Sequence, residues 1–299
     1  MLRRFVTLDV FTDKRFAGNP LAVVLEPDGL DTAAMQTIAR EFNLSETVFV
    51  FPPADKPHRA KLRIFTPANE LPFAGHPTVG TAVLLGRLDG GVQPRELVLE
   101  LGIGPVCCDV TPAGTDSGRA VFGLPKLPWD IGAPADDAAI AAALGIDAAD
   151  IGFDRMRPAR WSAGAPYSII PLRSLDAVGR CTINPVAWKQ AFGFDSHGAA
   201  YVLCRATVQA GHAFHTRMFA PGAGIAEDPA TGSAAAAFAG YLAASGSYQD
   251  GSHALIIEQG FEMGRPSLIE LTLKLAGGKL TGASIGGGAI VVSEGTIEA

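Results

Sequence analysis

The sequence predicts a mixed α/β (α+β) protein built as two similar halves, and three observations carry that prediction. The chain has 299 residues, about twice a common domain length of roughly 150. It repeats a motif: Arg63-Ile-Phe-Thr-Pro67 is followed after eight residues by His76-Pro-Thr-Val-Gly-Thr-Ala82, and Arg217-Met-Phe-Ala-Pro221 after six by Asp228-Pro-Ala-Thr-Gly-Ser-Ala234. The copies lie about half a chain apart and share Arg-x-Phe-x-Pro, a short loop, then His/Asp-Pro-x-x-Gly-Thr/Ser-Ala. Finally, each copy reads as a strand that its proline ends, followed by an apolar helical run, residues 79–88 in one and 234–242 in the other.

The remaining elements follow in order. Residues 5–11 and 21–25 read as strands around the turn Gly18-Asn19-Pro20. Asp31 is placed to cap a helix with Met35, Ile38, Ala39 and Phe42 on one face, ending near Asn43. Residues 47–51 are rich in β-branched and aromatic side chains and read as a strand. Glu46 lies at that helix-to-strand junction, where connecting segments commonly hold catalytic groups. Eight of the 23 residues from 112 to 134 are Gly or Pro, which places the crossover between halves there. Residues 136–144 and 185–192 read as helices, and the glycines at 277–278 and 286–288 as hairpin turns between short strands. In both copies of the motif the proline is expected at the first helical position, which makes His76 and Asp228 cap residues. A helix start offers unpaired N–H groups and the positive end of a dipole, suited to a carboxylate. Gly80 and Gly232, beside Thr81 and Ser233, would let a ligand approach that backbone.

Composition and missing motifs narrow the function. Lys+Arg 24 against Asp+Glu 30 gives a net charge of −6, and no basic run exceeds Arg3-Arg4, so no nucleic-acid partner is expected. Residues 234–244, the longest nearly apolar stretch, are too few to cross a bilayer, and Asp9 and Asp13 interrupt any signal-peptide core. No membrane association and a cytoplasmic location are therefore expected. Cys107, Cys108, Cys181 and Cys204 form neither a CxxC pair nor a zinc spacing and read as buried reduced thiols. Gly222-Ala-Gly224 runs into Glu227 where a dinucleotide fingerprint needs glycine, and neither a P-loop, HExxH nor a nucleophile elbow occurs. His212 and His215 stand in an apparent strand, where i and i+3 face opposite ways, so no metal is assigned to them. The chemistry is expected to use side chains alone, with no cofactor.

The order Asp9-Val-Phe11, Gly18-Asn-Pro20, Asn43-Leu-Ser-Glu-Thr47, Arg63-Ile-Phe-Thr-Pro67, Ala74-Gly-His-Pro-Thr78 and Glu227-Asp-Pro-Ala-Thr-Gly-Ser233, with Gln259-Gly260 and Gly264-Arg-Pro-Ser267, resembles the PhzF (phenazine biosynthesis-like) family. The resemblance spans residues 9–267 and implies a diaminopimelate-epimerase-like fold: two similar halves, each a curved mixed β-sheet wrapped around a central helix. On that reading residues 1–115, joined by a returning strand near 281–299, form one half, residues 119–280 the other, and the active-site cleft lies between them. It also implies a homodimer, and an isomerase that needs neither metal nor organic cofactor. The substrate it implies is a small carboxylate-bearing metabolite such as trans-2,3-dihydro-3-hydroxyanthranilate. Carried over by motif, Glu46 is the acid/base, His76 and Asp228 complete the catalytic set, and Gly75, Gly232 and Ser233 help hold the substrate. Asn19 is a further binding candidate, with turn geometry as its competing explanation.

Moving a proton along an allylic system takes one base that accepts it and returns it elsewhere on the same face. A Glu does this near neutral pH if burial raises its pKa from about 4.3 towards 6–7. An epimerase branch of the same fold uses two cysteines, one per half, and neither motif here contains one, which favours carboxylate and imidazole. A non-catalytic binding protein and an amino-acid epimerase or racemase are the alternatives. Each residue also has a plain structural explanation: Asp228 as a cap, His76 as a satisfied helix-start histidine, Glu46 as a solvated strand-end carboxylate.

Overall fold

Residues Leu2–Val10 alternate towards core and solvent before burying both faces, and form the first strand of the computed structural model, which describes residues 1–193 and 198–299. The chain divides into two compact units, Met1–Gly123 with Gly286–Ala299, and Leu124–Ile285. The first unit carries β1 (Leu2–Val10), β2 (Asn19–Leu25), α1 (Thr32–Phe42), β3 (Glu46–Phe51), β4 (Ala60–Phe65), β5 (Glu70–Leu71), α2 (Gly75–Leu88), β6 (Arg95–Leu101), β7 (Gly104–Ala113) and β8 (Ser117–Gly123). The second carries β9 (Trp129–Asp130), α3 (Asp137–Leu144), β10 (Ala159–Ser162), β11 (Pro166–Pro171), α4 (Leu175–Arg180), α5 (Pro185–Ala191), β12 (Ala200–Cys204), β13 (Phe214–Ala220), β14 (Ile225–Asp228), α6 (Gly232–Ala244), β15 (Gly251–Gln259) and β16 (Ser267–Ala276). A long last strand, β17 (Lys279–Glu298), contributes residues to each unit in turn.

In the first unit the strands pair in the order β1–β2–β3–β4–β6–β7–β8, and β17 pairs with both β8 and β1, so the sheet closes on itself. Pairing is mixed: β2–β3 and β4–β6 are parallel, their neighbours antiparallel. The α2 sequence is apolar or small on every side and so belongs inside, where it is buried from Gly75 to Gly86 against β1, β2, β3, β6, β7 and β8. Gly80 makes that approach possible, since a Cβ there would stand 2.7 Å from Leu21 Cδ2 and Val10 Cγ2. Helix α1 is amphipathic and stays outside. Asp31 caps it by accepting the Ala34 N–H, Asn43 ends it at φ +49, and Met35 and Ala39 pack on Val24, Phe49 and Phe65.

The second unit repeats the connectivity. Its strands pair as β9–β10–β11–β12–β13–β15–β16, again with two parallel pairs, β11–β12 and β13–β15. The buried, alanine-rich α6 takes the place of α2 and touches β9, β10, β11 and β16. Helices α3, α4 and α5 gather Ile140, Leu144, Val178 and Trp188 into a cluster on β11 and β12.

Four expectations are corrected. Helix α2 starts at Gly75 with Ala74 as its cap residue, and α6 at Gly232 with Thr231, so neither His76 nor Asp228 is a cap. A proline is tolerated throughout a first helical turn, so Pro77 does not mark its first position, and Pro229 lies in the loop before α6. Gly286–Gly288 lie inside β17, where a Cβ on Gly286 would stand 2.5 Å from Val121 Cγ2 and one on Gly288 2.7 Å from the Thr12 carbonyl. Glycine serves close approach there, whereas Gly277 and Gly278, at φ +60 and +69, do make a tight turn. His212 precedes β13 rather than lying in it, so the rings of His212 and His215 are free to converge on one carboxylate, Glu258. Cys107 is exposed, because β7 alternates and its neighbour Cys108 takes the core position.

Candidate active site

In the first unit α1 ends on its left-handed Asn43, and two residues later the chain enters β3, whose first residue Glu46 stands in register with Leu21 of β2. One turn of α2 then brings the buried His76 to it: His76 Nε2 lies 3.1 Å from Glu46 Oε2, off the line of a hydrogen bond. The His76 ring also hydrogen-bonds the Pro20 carbonyl, and burial pushes the imidazole down to about 3, so it is neutral near pH 7. Asn19, fully buried at the start of β2, immediately precedes that proline, and Gly75 is buried as the first residue of α2. Glu46, His76, Gly75 and the Asn19–Pro20 backbone are therefore assembled on one end of this unit's sheet.

In the second unit Asp228 ends β14 and accepts the Thr231 hydroxyl at 2.5 Å. Gln259, fully buried at the end of β15, bonds the Asp228 carbonyl at 2.7 Å and the Thr231 hydroxyl at 2.9 Å, and accepts the Thr231 N–H at 3.1 Å. Gly232 opens α6, and Ser233 Oγ lies 2.6 Å from the Tyr167 hydroxyl on β11. Thr231, Gln259 and Tyr167 were not assigned to the site from the sequence, although Thr231 and Gln259 lie in stretches that carry the family resemblance. Gln259 offered one signal, a polar residue ending an apolar strand directly before a glycine at φ +75.

The motif arginines are fold residues in both copies. Arg63 makes a two-pronged bond to Glu70 at 2.7 and 2.6 Å, and Arg217 the same to Glu227 at 2.8 and 2.9 Å. Arg217 also donates to the carbonyls of Val178, Gly179 and Cys181. Among the described residues no three His, Cys, Asp or Glu side chains are grouped to hold a metal ion, and no helix is long and apolar enough to cross a membrane.

The family model of the phenazine biosynthesis-like proteins, PhzC-PhzF, matches residues 8–295. The chain belongs to this family. It is 52% identical over 298 residues to an uncharacterised isomerase of Mesorhizobium japonicum, covering 99% of this chain and 98% of that one. It is 35% identical over 296 residues, 99% of each chain, to the trans-2,3-dihydro-3-hydroxyanthranilate isomerase of Pseudomonas fluorescens. A PhzF-family crystal structure from Bacillus anthracis matches it with a TM-score of 0.88 at 25% identity over the whole of both chains. A hydroxyproline epimerase of Agrobacterium vitis shares the fold at 13% identity, with a TM-score of 0.62 over 99% of this chain and 92% of its own. The α+β architecture is thus that of PhzF and epimerase-like proteins.

Proposed function

We propose that this PhzF-family isomerase moves a proton on a small cyclic metabolite bearing a carboxylate, of the trans-2,3-dihydro-3-hydroxyanthranilate kind, with Glu46 as the acid/base. The observation that carries this reading is the Glu46–His76 pair, 3.1 Å apart, with its facing atoms buried and a neutral imidazole. The ring spends its N–H on the Pro20 carbonyl, which leaves Nε2 without a hydrogen, 3.1 Å from Glu46 Oε2. A small rotation of a protonated Glu46 would bring its O–H onto that acceptor. An ionised Glu46 receives no positive charge from His76 to hold it ionised, so the carboxyl can both take and return a proton. The sequence reading allowed a charged His76 to oppose proton uptake by Glu46; a buried neutral ring does not.

No side chain caps the start of α2 or of α6, so N–H groups at Gly75 and Gly232 suit the substrate carboxylate. Ser233 and Asn19 add hydrogen-bonding capacity, and Asp228 suits the substrate amine. A two-thiol epimerase mechanism lacks support, because desolvation pushes the thiols of Cys108, Cys181 and Cys204 up to about 12 and that of Cys107 to about 11.

The test is turnover of trans-2,3-dihydro-3-hydroxyanthranilate in deuterated water, which separates proton transfer from mere binding by deuterium in the product. Glu46→Gln keeps size and polarity, so binding should survive while turnover falls at least ~100-fold. Turnover near that of the wild type would remove Glu46 from the role. The resemblance extends the reading to a cytoplasmic homodimer, and a 31.0 kDa species in sedimentation at micromolar concentration counts against the dimer.

A further inference from the structure

The hydrogen bonds that hold Asp228 have a fixed direction. The Thr231 N–H can only donate, and it meets Gln259 Oε1 at 3.1 Å; the Asp228 carbonyl can only accept, and it meets Gln259 Nε2 at 2.7 Å. Two backbone groups therefore set the Gln259 amide in one orientation. Its nitrogen has a second hydrogen, and Thr231 Oγ1 lies 2.9 Å away to accept it. That leaves the hydroxyl hydrogen of Thr231 for Asp228 Oδ2, at 2.5 Å. Gln259 is fully buried, and Thr231 and Asp228 are buried too, so water is poorly placed to substitute for any link.

The first half of the chain supplies an internal comparison. In the repeated motif His76 matches Asp228 and Val79 matches Thr231. The parallel pairing of Lys61 with Glu100 matches that of His215 with Glu258, which makes Leu101 the counterpart of Gln259. Where the motif carries an imidazole these two positions are apolar, and where it carries a carboxylate they are a hydroxyl and an amide. The polar pair goes with the carboxylate rather than with the shared fold.

We propose that Gln259, acting through Thr231, is a positioning residue that keeps Asp228 Oδ2 a hydrogen-bond acceptor and so holds the carboxylate ionised towards the substrate amine. This rests on the reading of Asp228 as a site residue given above. Of the charged groups on the strands packed against β14, Arg217 is engaged by Glu227, and Glu258 by His212 and His215; His215 also engages Glu262. The Thr231 hydroxyl donates directly to Asp228 Oδ2, so its loss should move the Asp228 titration.

The experiment follows the Asp228 carboxyl by carbon-13 NMR titration in the substrate-free protein, its signal assigned with Asp228→Asn. Thr231→Val removes the hydroxyl at constant shape and should raise the Asp228 titration by about one pH unit, because a hydrogen bond to the ionised form favours it. Thr231→Ser should restore the wild-type value. In turnover of trans-2,3-dihydro-3-hydroxyanthranilate, Thr231→Val should move one limb of the pH–rate profile in the same direction, with kcat changing more than KM. Gln259→Leu frees the hydroxyl to rotate and should give an intermediate shift; where that variant does not fold, the Thr231 pair decides. An Asp228 titration identical in wild type and Thr231→Val, or one that Thr231→Ser fails to restore, overturns the proposal. The two readings separate cleanly: a full Asp228 shift beside undiminished Glu46→Gln turnover supports the positioning role while the proton-transfer assignment falls, and the reverse pattern does the opposite.

Discussion

His76 shows how burial sets a protonation state. Its ring is pushed from 6.5 to about 3 chiefly by desolvation, against the opposing pull of its bond to Pro20. Between those values the unfolded chain binds a proton that the folded one does not, so stability rises with pH there. The contribution is complete above about 6.5 and is lost as pH falls towards 3. Urea midpoints from pH 7 to pH 3.5 should therefore fall more steeply for wild type than for His76→Gln, with equal slopes as the contrary result. At this scale the sequence showed Glu46 and His76 through their motifs, and the structure brings them together. It could not show Thr231 or Gln259, whose significance lies in the direction of three hydrogen bonds linking positions 28 and 31 residues apart. No local pattern encodes that.

At the scale of elements, each unit latches the loop before its motif strand with one carboxylate. Glu100 accepts the N–H groups of Ala54 and Asp55 and contacts His58 at 2.9 Å. Glu258 accepts those of Val208 and Gln209 and contacts His212 at 2.8 Å. The second latch is the more deeply set, since Glu258 is fully buried and also meets His215, whose other nitrogen reaches Glu262 at 2.8 Å. Glu258→Gln should lower unfolding free energy by about 3 kcal/mol, the scale of breaking a buried ion pair, as read in urea. A loss under about 1 kcal/mol would show a latch that holds little. The pH window has two edges. The carboxylates of Glu258 and Glu262 lie below their ordinary range, so their contribution is present above about 4.5 and is lost as pH falls through their lowered values. His215 lies above its ordinary value, so its contribution is present below about 6.5 and is lost as pH rises through the raised one. The latch should matter most between those limits. Its repeat escaped the sequence because the loops share only a histidine, while the carboxylates that hold them stand more than forty residues away. The central helices were legible as apolar runs. Their first turns were not, because a proline was taken as a start signal where cap geometry decided.

For the whole molecule, the motif repeat in the sequence reappears as a repeat of strand connectivity around a buried helix, which is as much of the fold as short-range pattern could reveal. The closing strand was beyond that pattern, and a strand returning near 281–299 was implied by the family resemblance alone. Three consecutive glycines read locally as a turn, yet β17 passes straight through them, because β8 approaches too closely for a side chain at Gly286 and the Thr12 backbone after β1 too closely for one at Gly288. That strand pairs with β1 from Leu2–Glu298 to Val10–Ala289 and with β8, and Val291 donates its N–H to the carbonyl of Asp116, just before β8, at 2.8 Å. It also buries Ala289, Ile290 and Val291. A chain ending after Ile285 would leave β1 and β8 as two unpaired edges and uncover part of the core around α2. The second unit keeps its helix α6 and its cluster on Trp188, all within Leu124–Ile285. Truncation should therefore abolish hydrogen-exchange protection across β1, β8 and α2, while the amides of α6, β12 and β15 stay protected and unfold together. Retained protection in β1 and β8 would show that the first unit's sheet does not need its closing strand. Loss of protection in both units alike would show that the strand stabilises the protein as one cooperative whole.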